Sequence, residues 1–165
     1  LSTSSPSMDI QISSNFERLL FDAYDRDATK ICNAMESLKQ SGEFTIEPDA
    51  LKSIKREFAA AKAPGKNVQA TIVKYNTENG YVLDPHTAVG MFVAEKFIRP
   101  TSAMITLATA HPAKFPSAVK TACGIEPALP SWLHDLMERE ERFKVLPAEL
   151  KFVEEFISMH TRAGV

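Results

Sequence analysis

The sequence contains one strand-like run among many helix-like segments, and this imbalance limits the folds open to it. Ala103 to Ala108 is short and almost continuously apolar, as expected of a strand buried on both faces of a parallel sheet. A single strand cannot form a sheet. Helices and strand alternate as in an α/β protein, so most of the sheet must come from another part of the polypeptide. We therefore predict that residues 1–165 are the helix-rich C-terminal part of a larger α/β protein.

The helices are predicted from capping residues and apolar periodicity. Ser14 followed by Glu17 matches a capping box and starts a long amphipathic helix that runs to about Lys39. Asp84 is a good N-cap and Pro85 suits the first helical position, so another helix starts there. The remaining helices are predicted over about Asp49 to Lys62, Asn67 to Asn76, Pro116 to Gly124, the stretch PSWLHDLMEREERF, and Pro147 to His160. The β-branched "TIV" within the second of these would also suit a strand.

Composition places the chain among ordinary globular proteins and removes several classes of partner. It is 44% hydrophobic and 24% charged, with a net charge of −2 and no basic run. These values favour neither nucleic acid nor an anionic membrane as partner, and no apolar run approaches the length of a membrane span. Cys32 and Cys123 lack CxxC spacing and are interpreted as buried thiols of a reducing compartment, so we expect a cytoplasmic protein.

The four histidines do not predict a metal site, because they lack paired spacing such as HExxH. His134 and His160 lie on charged helices and are expected at the surface. His86 falls in the first turn of the helix that Asp84 starts, where unpaired amides and the helix dipole favour an anion. A histidine packed against the sheet is an equally good interpretation of His86. The absence of a GxSxG motif argues against a nucleophilic hydrolase.

Thr109 is the most informative single position, because it directly follows the strand-like run. In α/β folds the carboxyl ends of parallel strands are where ligands bind, and a hydroxyl both donates and accepts hydrogen bonds. Ala110 leaves room for a flat ring, while Pro112 makes the following turn rigid. The alternative to a ligand-binding role is that Thr109 only caps the turn that follows the run. Lys114 lacks an apolar setting that would favour Schiff-base chemistry, and we expect it to be solvated.

Three stretches together resemble the C-terminal part of the threonine synthase family. They are SMDIQISSNFERLLF (Ser7 to Phe21), GYVLDPHTAVG (Gly80 to Gly90) and LATAHPAKFP (Leu107 to Pro116). The resemblance implies a pyridoxal-phosphate enzyme of the tryptophan-synthase-like fold type, a lyase that converts O-phosphohomoserine and water to threonine and phosphate. It also implies that residues 1–165 are the C-terminal segment of the large coenzyme-binding domain, whose sheet the missing N-terminal part completes.

The resemblance assigns roles to particular residues. A Ser or Thr hydroxyl meets the pyridine nitrogen in this family, and the motif places that hydroxyl at Thr109, with Ala110 beside it. His86, Asn15, Arg18 and His111 lie in the matching motifs and are candidate substrate-binding residues. Arg18 would suit a phosphate, although pairing with Asp22 on the same helix is an alternative.

Half of the family's site is absent from this sequence. The coenzyme-carrying lysine lies in a Ser-Phe-Lys-Asp motif in the family, and neither that motif nor the Gly-Asn-Phe-Gly phosphate loop occurs here. No catalytic residue is therefore assigned, and we expect residues 1–165 alone to be inactive. Two alternatives remain, namely a related enzyme that only eliminates phosphate from a similar substrate and a non-catalytic helical interaction module.

Overall fold

The structure, a computed structural model, describes residues 2–162 and is mainly helical over that range. Seven α-helices follow one another: α1 (Ser14–Ala23), α2 (Ala28–Ser41), α3 (Pro48–Glu57), α4 (Gly65–Asn79), α5 (Pro85–Ala94), α6 (Pro116–Cys123) and α7 (Leu150–His160). Short 3₁₀ turns lie at Pro6–Met8, Glu95–Phe97, Pro112–Lys114, Ser131–Leu133 and Leu136–Glu138. The described residues fall into two compact units, one ending at Ala128 and the other starting at Leu129.

A first apolar cluster, in the first unit, lies where α4 packs against α5 and α6. Val68 and Ile72 of α4 are buried there with Leu83 and with Ala88 of α5. Gly80 ends α4 in the left-handed conformation, with φ of 65°. The prediction of a helix over Asn67 to Asn76 is confirmed, and the β-branched "TIV" points its Ile side chain into this cluster rather than into a sheet.

A second apolar cluster in the same unit joins α1 to α2 and α3. Leu20, Tyr24 and Ala50 are buried in it. Pro48 occupies the first turn of α3 as predicted, but α3 ends at Glu57 and not near Lys62. The residues that follow, 58–64, are irregular up to the start of α4.

The predicted single helix from Ser14 to Lys39 is wrong, because the chain forms two helices there. Asp25 and Arg26 adopt positive φ values of 54° and 65° between α1 and α2, and Asp27 then caps α2 with bonds from the Thr29 and Lys30 amides. The capping box is also not formed. Ser13 is the N-cap residue of α1, and its side chain makes no capping hydrogen bond.

The predicted strand from Ala103 to Ala108 is absent from the described residues. Only an isolated bridge between Arg99 and Ser102 precedes it. Ile105 and Leu107 are 81% and 74% exposed, so the run is not buried on either face. A strand needs a neighbour to accept its ladder hydrogen bonds, and residues 2–162 supply none for this run. The fold-class prediction is thus confirmed as helix-rich, with no paired sheet in this part.

The second unit contains two 3₁₀ turns and α7. The stretch PSWLHDLMEREERF forms only those turns, at Ser131–Leu133 and Leu136–Glu138, so the helix predicted over it is wrong. His134 and His160 are exposed as expected. No helix within residues 2–162 is long and apolar enough to cross a membrane.

Candidate functional site

The N-terminus of α5 is the most heavily hydrogen-bonded point among the described residues of the first unit. Asp84 caps it as predicted: its carboxylate accepts from the His86 amide at 2.9 Å and from the Thr87 amide at 3.3 Å. Pro85 occupies the first helical position, where its missing N–H is not needed. The carboxylate therefore fills the anion-favouring position that this helix end offers.

Asp84 accepts two side-chain hydrogen bonds as well. The His86 ring nitrogen Nδ1 lies 3.0 Å from Asp84 Oδ1, and the Thr87 hydroxyl donates to Asp84 Oδ2. Asp84 is 1% exposed, and a buried carboxylate is costly unless donors replace its water. Four donors do so here, which makes Asp84 the centre of a small polar network.

His86 is a packed histidine, as in one of the two interpretations that the sequence left open, but it packs against Phe115 and not against a sheet. It is 4% exposed, and its ring lies 4.5 Å from the Phe115 ring, measured between centroids. Its Nε2 accepts from the Ser7 amide at 3.1 Å. Because Nε2 accepts, the proton of the neutral ring is on Nδ1, facing Asp84. A role for His86 toward a substrate stays a prediction.

Thr109 lies directly beside this network and is exposed. Its amide donates to the Thr87 hydroxyl oxygen at 3.2 Å. Within residues 2–162 its own hydroxyl makes no hydrogen bond, so both its donor and its acceptor capacity are available. Ala110 is half-buried, and His111 is exposed, with Nδ1 accepting from the Ala113 amide at 3.2 Å. Lys114 is solvent-exposed as predicted.

His86 and Thr109 both line an open groove of about 590 Å³. The other walls are mainly apolar and include Met8, Val89, Phe97, Ile105 and Leu107. Gly90 lets the 103–108 segment approach α5 closely, since a Cβ there would lie 3.2 Å from Cγ2 of Thr106. The groove thus places a partnerless hydroxyl beside an apolar surface, a combination that suits the polar edge of a flat ring.

The structure does not bring all predicted site residues together. Asn15 and Arg18 are exposed on α1 and do not line the groove, and neither do Ala110 and His111. The Arg18 guanidinium donates to the Asn15 side-chain oxygen. The alternative pairing of Arg18 with Asp22 is not formed, and Arg26 donates to Asp22 instead, at 3.1 Å.

Sequence reasoning missed Thr87 and Ser7 as members of the site. Thr87 stands three residues after the N-cap Asp84, the spacing of a capping interaction, and that signal was available. Its contact with Thr109 and the contact of Ser7 with His86 join residues 22 and 79 positions apart, and neither has a local signature. Among the described residues, no three His, Cys, Asp or Glu side chains are grouped as a metal site would need.

Comparison with known proteins supports the resemblance drawn from the motifs. A family model described as "Threonine synthase, C-terminal" matches residues 87–157, a range that includes Thr87 and Thr109. A curated threonine synthase from Pseudomonas aeruginosa is 44% identical over 162 residues, which are 97% of this chain and 34% of that protein.

Solved structures agree with the sequence matches. The crystal structure of pyridoxal-phosphate-bound threonine synthase from Brucella melitensis is 55% identical, with a TM-score of 0.82 over 98% of this chain and 35% of that one. Threonine synthase from yeast gives 30% identity and a TM-score of 0.72 over 100% of this chain and 37% of that one. The chain thus spans about a third of the length of these relatives. It belongs to the threonine synthase family, as a C-terminal segment.

Proposed function

We propose that the protein to which this segment belongs is a threonine synthase, which converts O-phosphohomoserine and water to L-threonine and phosphate. The observation that carries the proposal is the match to threonine synthases along nearly the whole chain, in sequence and in structure. The catalytic class would be that of a pyridoxal-phosphate-dependent lyase acting in threonine biosynthesis. Residues 1–165 would be the C-terminal segment of its large coenzyme-binding domain.

The missing N-terminal part of the same protein is the partner that the exposed run of residues 103–108 requires. In the proposed enzyme, this run adds a strand to a mainly parallel sheet. The exposed side chains of Ile105 and Leu107 support this, because so large an apolar exposure is usually covered by another surface. Two free cysteines, Cys32 and Cys123, support a reducing compartment such as the cytoplasm. Neither thiol is fully buried, however: Cys32 is exposed and Cys123 is half-buried, so the expectation of two buried thiols is wrong.

The residues around Thr109 fit the pyridine edge of pyridoxal phosphate. A ring nitrogen needs one hydrogen-bonding partner, and the Thr109 hydroxyl has none within residues 2–162. Ala110 presents a small side chain beside it. We assign Thr109 and Ala110 to the coenzyme, with the Thr109 hydroxyl as the contact to the ring nitrogen.

The choice of a hydroxyl at this position has a chemical consequence. Pyridoxal phosphate, when bound, withdraws electrons from the substrate's carbon skeleton. A carboxylate in place of Thr109 would hold a proton on the ring nitrogen, because an opposite charge favours the charged form. The neutral Thr109 hydroxyl instead donates its own proton in a hydrogen bond to the nitrogen lone pair. Thr109 would therefore moderate how strongly the ring withdraws electrons.

Candidate substrate contacts divide into two groups. His86 lines the groove together with Thr109, and we assign it to the substrate. His111 does not line the groove, and its assignment to the substrate rests on the motif alone. Arg18 pairs only with the neutral Asn15 amide, so no carboxylate within the described chain compensates its charge. A guanidinium in that state can bind the substrate phosphate through charge-assisted hydrogen bonds, with Asn15 orienting it.

The test is to express the full-length protein and supply pyridoxal phosphate and O-phosphohomoserine. We expect a coenzyme absorption band from the bound protein and the release of threonine and phosphate in equal amounts. Phosphate without threonine would identify the related phospho-lyase. Absence of both the band and the reaction would leave only the helical interaction module.

A further inference from the structure

We propose that Thr87 is a positioning residue, which fixes the backbone at Thr109 so that the Thr109 hydroxyl is presented to the coenzyme. The inference rests on the proposed function for the role of Thr109. It concerns a different residue and a different contact, the 3.2 Å hydrogen bond from the Thr109 amide to the Thr87 hydroxyl oxygen.

Asp84 determines which way the Thr87 hydroxyl points. An ionised carboxylate only accepts hydrogen bonds, so the Thr87 hydroxyl must donate its single proton to Asp84 Oδ2. The lone pairs of the Thr87 hydroxyl oxygen then point away from Asp84, and the Thr109 amide donates to this oxygen. A buried acceptor with a fixed orientation is thereby created for a backbone group on another segment.

Within residues 2–162, the Thr87 hydroxyl is the one acceptor that the Thr109 amide bonds. The preceding residues 103–108 form no regular structure, and the next helical turn starts only at Pro112. Thr87 is 5% exposed and belongs to the buried first turn of α5. The bond therefore connects the end of the 103–108 run to a buried helix end, and it does so whether or not that run pairs in a sheet. A shift of the Thr109 backbone would move its hydroxyl away from any fixed ring nitrogen, and small misplacements at a site are costly.

A pair of variants at position 87 separates this role from helix capping. Thr87→Val keeps the shape but removes the hydroxyl, whereas Thr87→Ser keeps the hydroxyl. The backbone amide of residue 87 still caps onto Asp84 in both variants, so α5 itself retains its N-cap. If Thr87 served only to stabilise the helix end, Thr87→Val would speed amide exchange in α5. If Thr87 positions Thr109, the variant speeds exchange of the Thr109 amide instead.

The experiment is amide hydrogen exchange on the full-length, coenzyme-free protein, followed by coenzyme titration. We expect the Thr109 amide to be protected in the wild type. In Thr87→Val its exchange should rise about tenfold, the effect of one lost hydrogen bond, while amides 88–94 of α5 stay unchanged. The dissociation constant for pyridoxal phosphate should rise five- to tenfold in Thr87→Val, by an order-of-magnitude estimate, and should stay near the wild-type value in Thr87→Ser.

Three results would overturn the proposal: an unprotected Thr109 amide in the wild type, equal exchange in the two variants, or unchanged coenzyme affinity in Thr87→Val. The first needs no variant, so the proposal remains testable even if Thr87→Val does not fold. Failure of the proposed function gives a different result, since a wild-type protein that makes no threonine can still show the exchange pattern at Thr109.

Discussion

Asp84 shows how one buried carboxylate can organise two separate loops through the residues beside it. Because it only accepts hydrogen bonds, it makes the Thr87 hydroxyl and the His86 Nδ1–H donate to it. The Thr87 hydroxyl oxygen and the His86 Nε2 are then left as acceptors. Ser7 and Thr109 donate their amides to those acceptors, so two segments beside the groove are held by a single charge.

Replacing Asp84 with Ala should therefore cost far more stability than losing an ordinary cap. A cap is worth about 0.5–2 kcal/mol, and each buried donor left unpaired adds roughly 1–3 kcal/mol, so we expect a loss of about 3 kcal/mol or more. Asp27 is the matched control: it caps α2 in the same way but is exposed. Asp27→Ala should cost about 1 kcal/mol. Urea unfolding of the full-length protein measures both, and equal losses would contradict the role given to Asp84.

Thr109→Ala tests the proposed coenzyme contact itself. Removing the hydroxyl would leave the ring nitrogen without its proposed partner, which should cost about 1–3 kcal/mol in coenzyme affinity or catalysis. Thr109→Ser keeps the hydroxyl and should retain most of the activity. The measurements are the steady-state rate with O-phosphohomoserine and the coenzyme dissociation constant in the full-length protein. An alanine variant as active as the wild type would remove Thr109 from the site.

At the scale of elements, local start and stop signals predicted some helix boundaries but not all, since α3 ends before Lys62 and the stretch PSWLHDLMEREERF forms no α-helix. The start of α5 is correctly marked by Asp84-Pro85, and α6 begins at Pro116 and ends before the left-handed Gly124, as predicted. The break between α1 and α2 was not predictable in this way, because its positive φ values belong to Asp25 and Arg26 and not to glycine. The apolar periodicity continues through that break and conceals it.

The sequence predicted two of the residues that line the groove, His86 and Thr109, but not the hydrogen bonds that connect them to their neighbours. Asp84 has a local signal as an N-cap, and Thr109 has one as the residue that follows an apolar run, although that run forms no strand within residues 2–162. The bonds that join Thr87 to Thr109 and His86 to Ser7 are tertiary contacts between distant segments. The residue type determines which hydrogen bonds a side chain can make, whereas the packing of distant segments determines which partner it meets.

The contact between α4 and the end of α5 provides a pH prediction at this scale. Glu95 accepts from Lys74 and from the Tyr75 hydroxyl, each at 2.7 Å, and these hydrogen bonds lower the pKa of the Glu95 carboxyl from its ordinary value of 4.5. A carboxyl whose pKa is lower in the folded protein stabilises the fold above its unfolded pKa, and this contribution disappears as the pH falls through the folded pKa.

We therefore expect Glu95→Gln to be less stable than the wild type at neutral pH and to lose less stability on acidification below about pH 4.5. The difference should be small, because the Lys74 and Glu95 side chains are 43% and 30% exposed and solvent screens the pair. Urea midpoints of the full-length protein at pH 7 and pH 3.5 measure it. The exposed pair of Lys120 and Glu126 offers the control, and Glu126→Gln should change either midpoint less. A pH-independent difference between wild type and Glu95→Gln would contradict this account.

At the scale of the whole molecule, the segment exposes apolar surface that a folded enzyme would cover. Ile105 and Leu107 stand at 81% and 74% exposure on a run with strand-forming composition. The amides of that run have no ladder partner within residues 2–162. The proposed N-terminal part would supply both the ladder and the apolar cover.

This predicts a large difference between the full-length protein and residues 1–165 expressed alone. In the full-length protein, amides 104–108 should exchange at least about a hundred times more slowly than in an unfolded peptide of the same sequence, since paired core strands open only with the protein as a whole. In the separate segment the same amides should exchange at nearly the peptide rate. Because half of the proposed site is missing, the segment should also form no coenzyme absorption band and no threonine. Fast exchange at residues 104–108 in the active full-length enzyme would show that this run joins no sheet, and the strand assignment would be wrong. The coenzyme contact at Thr109 is tested separately, by the Thr109 variants.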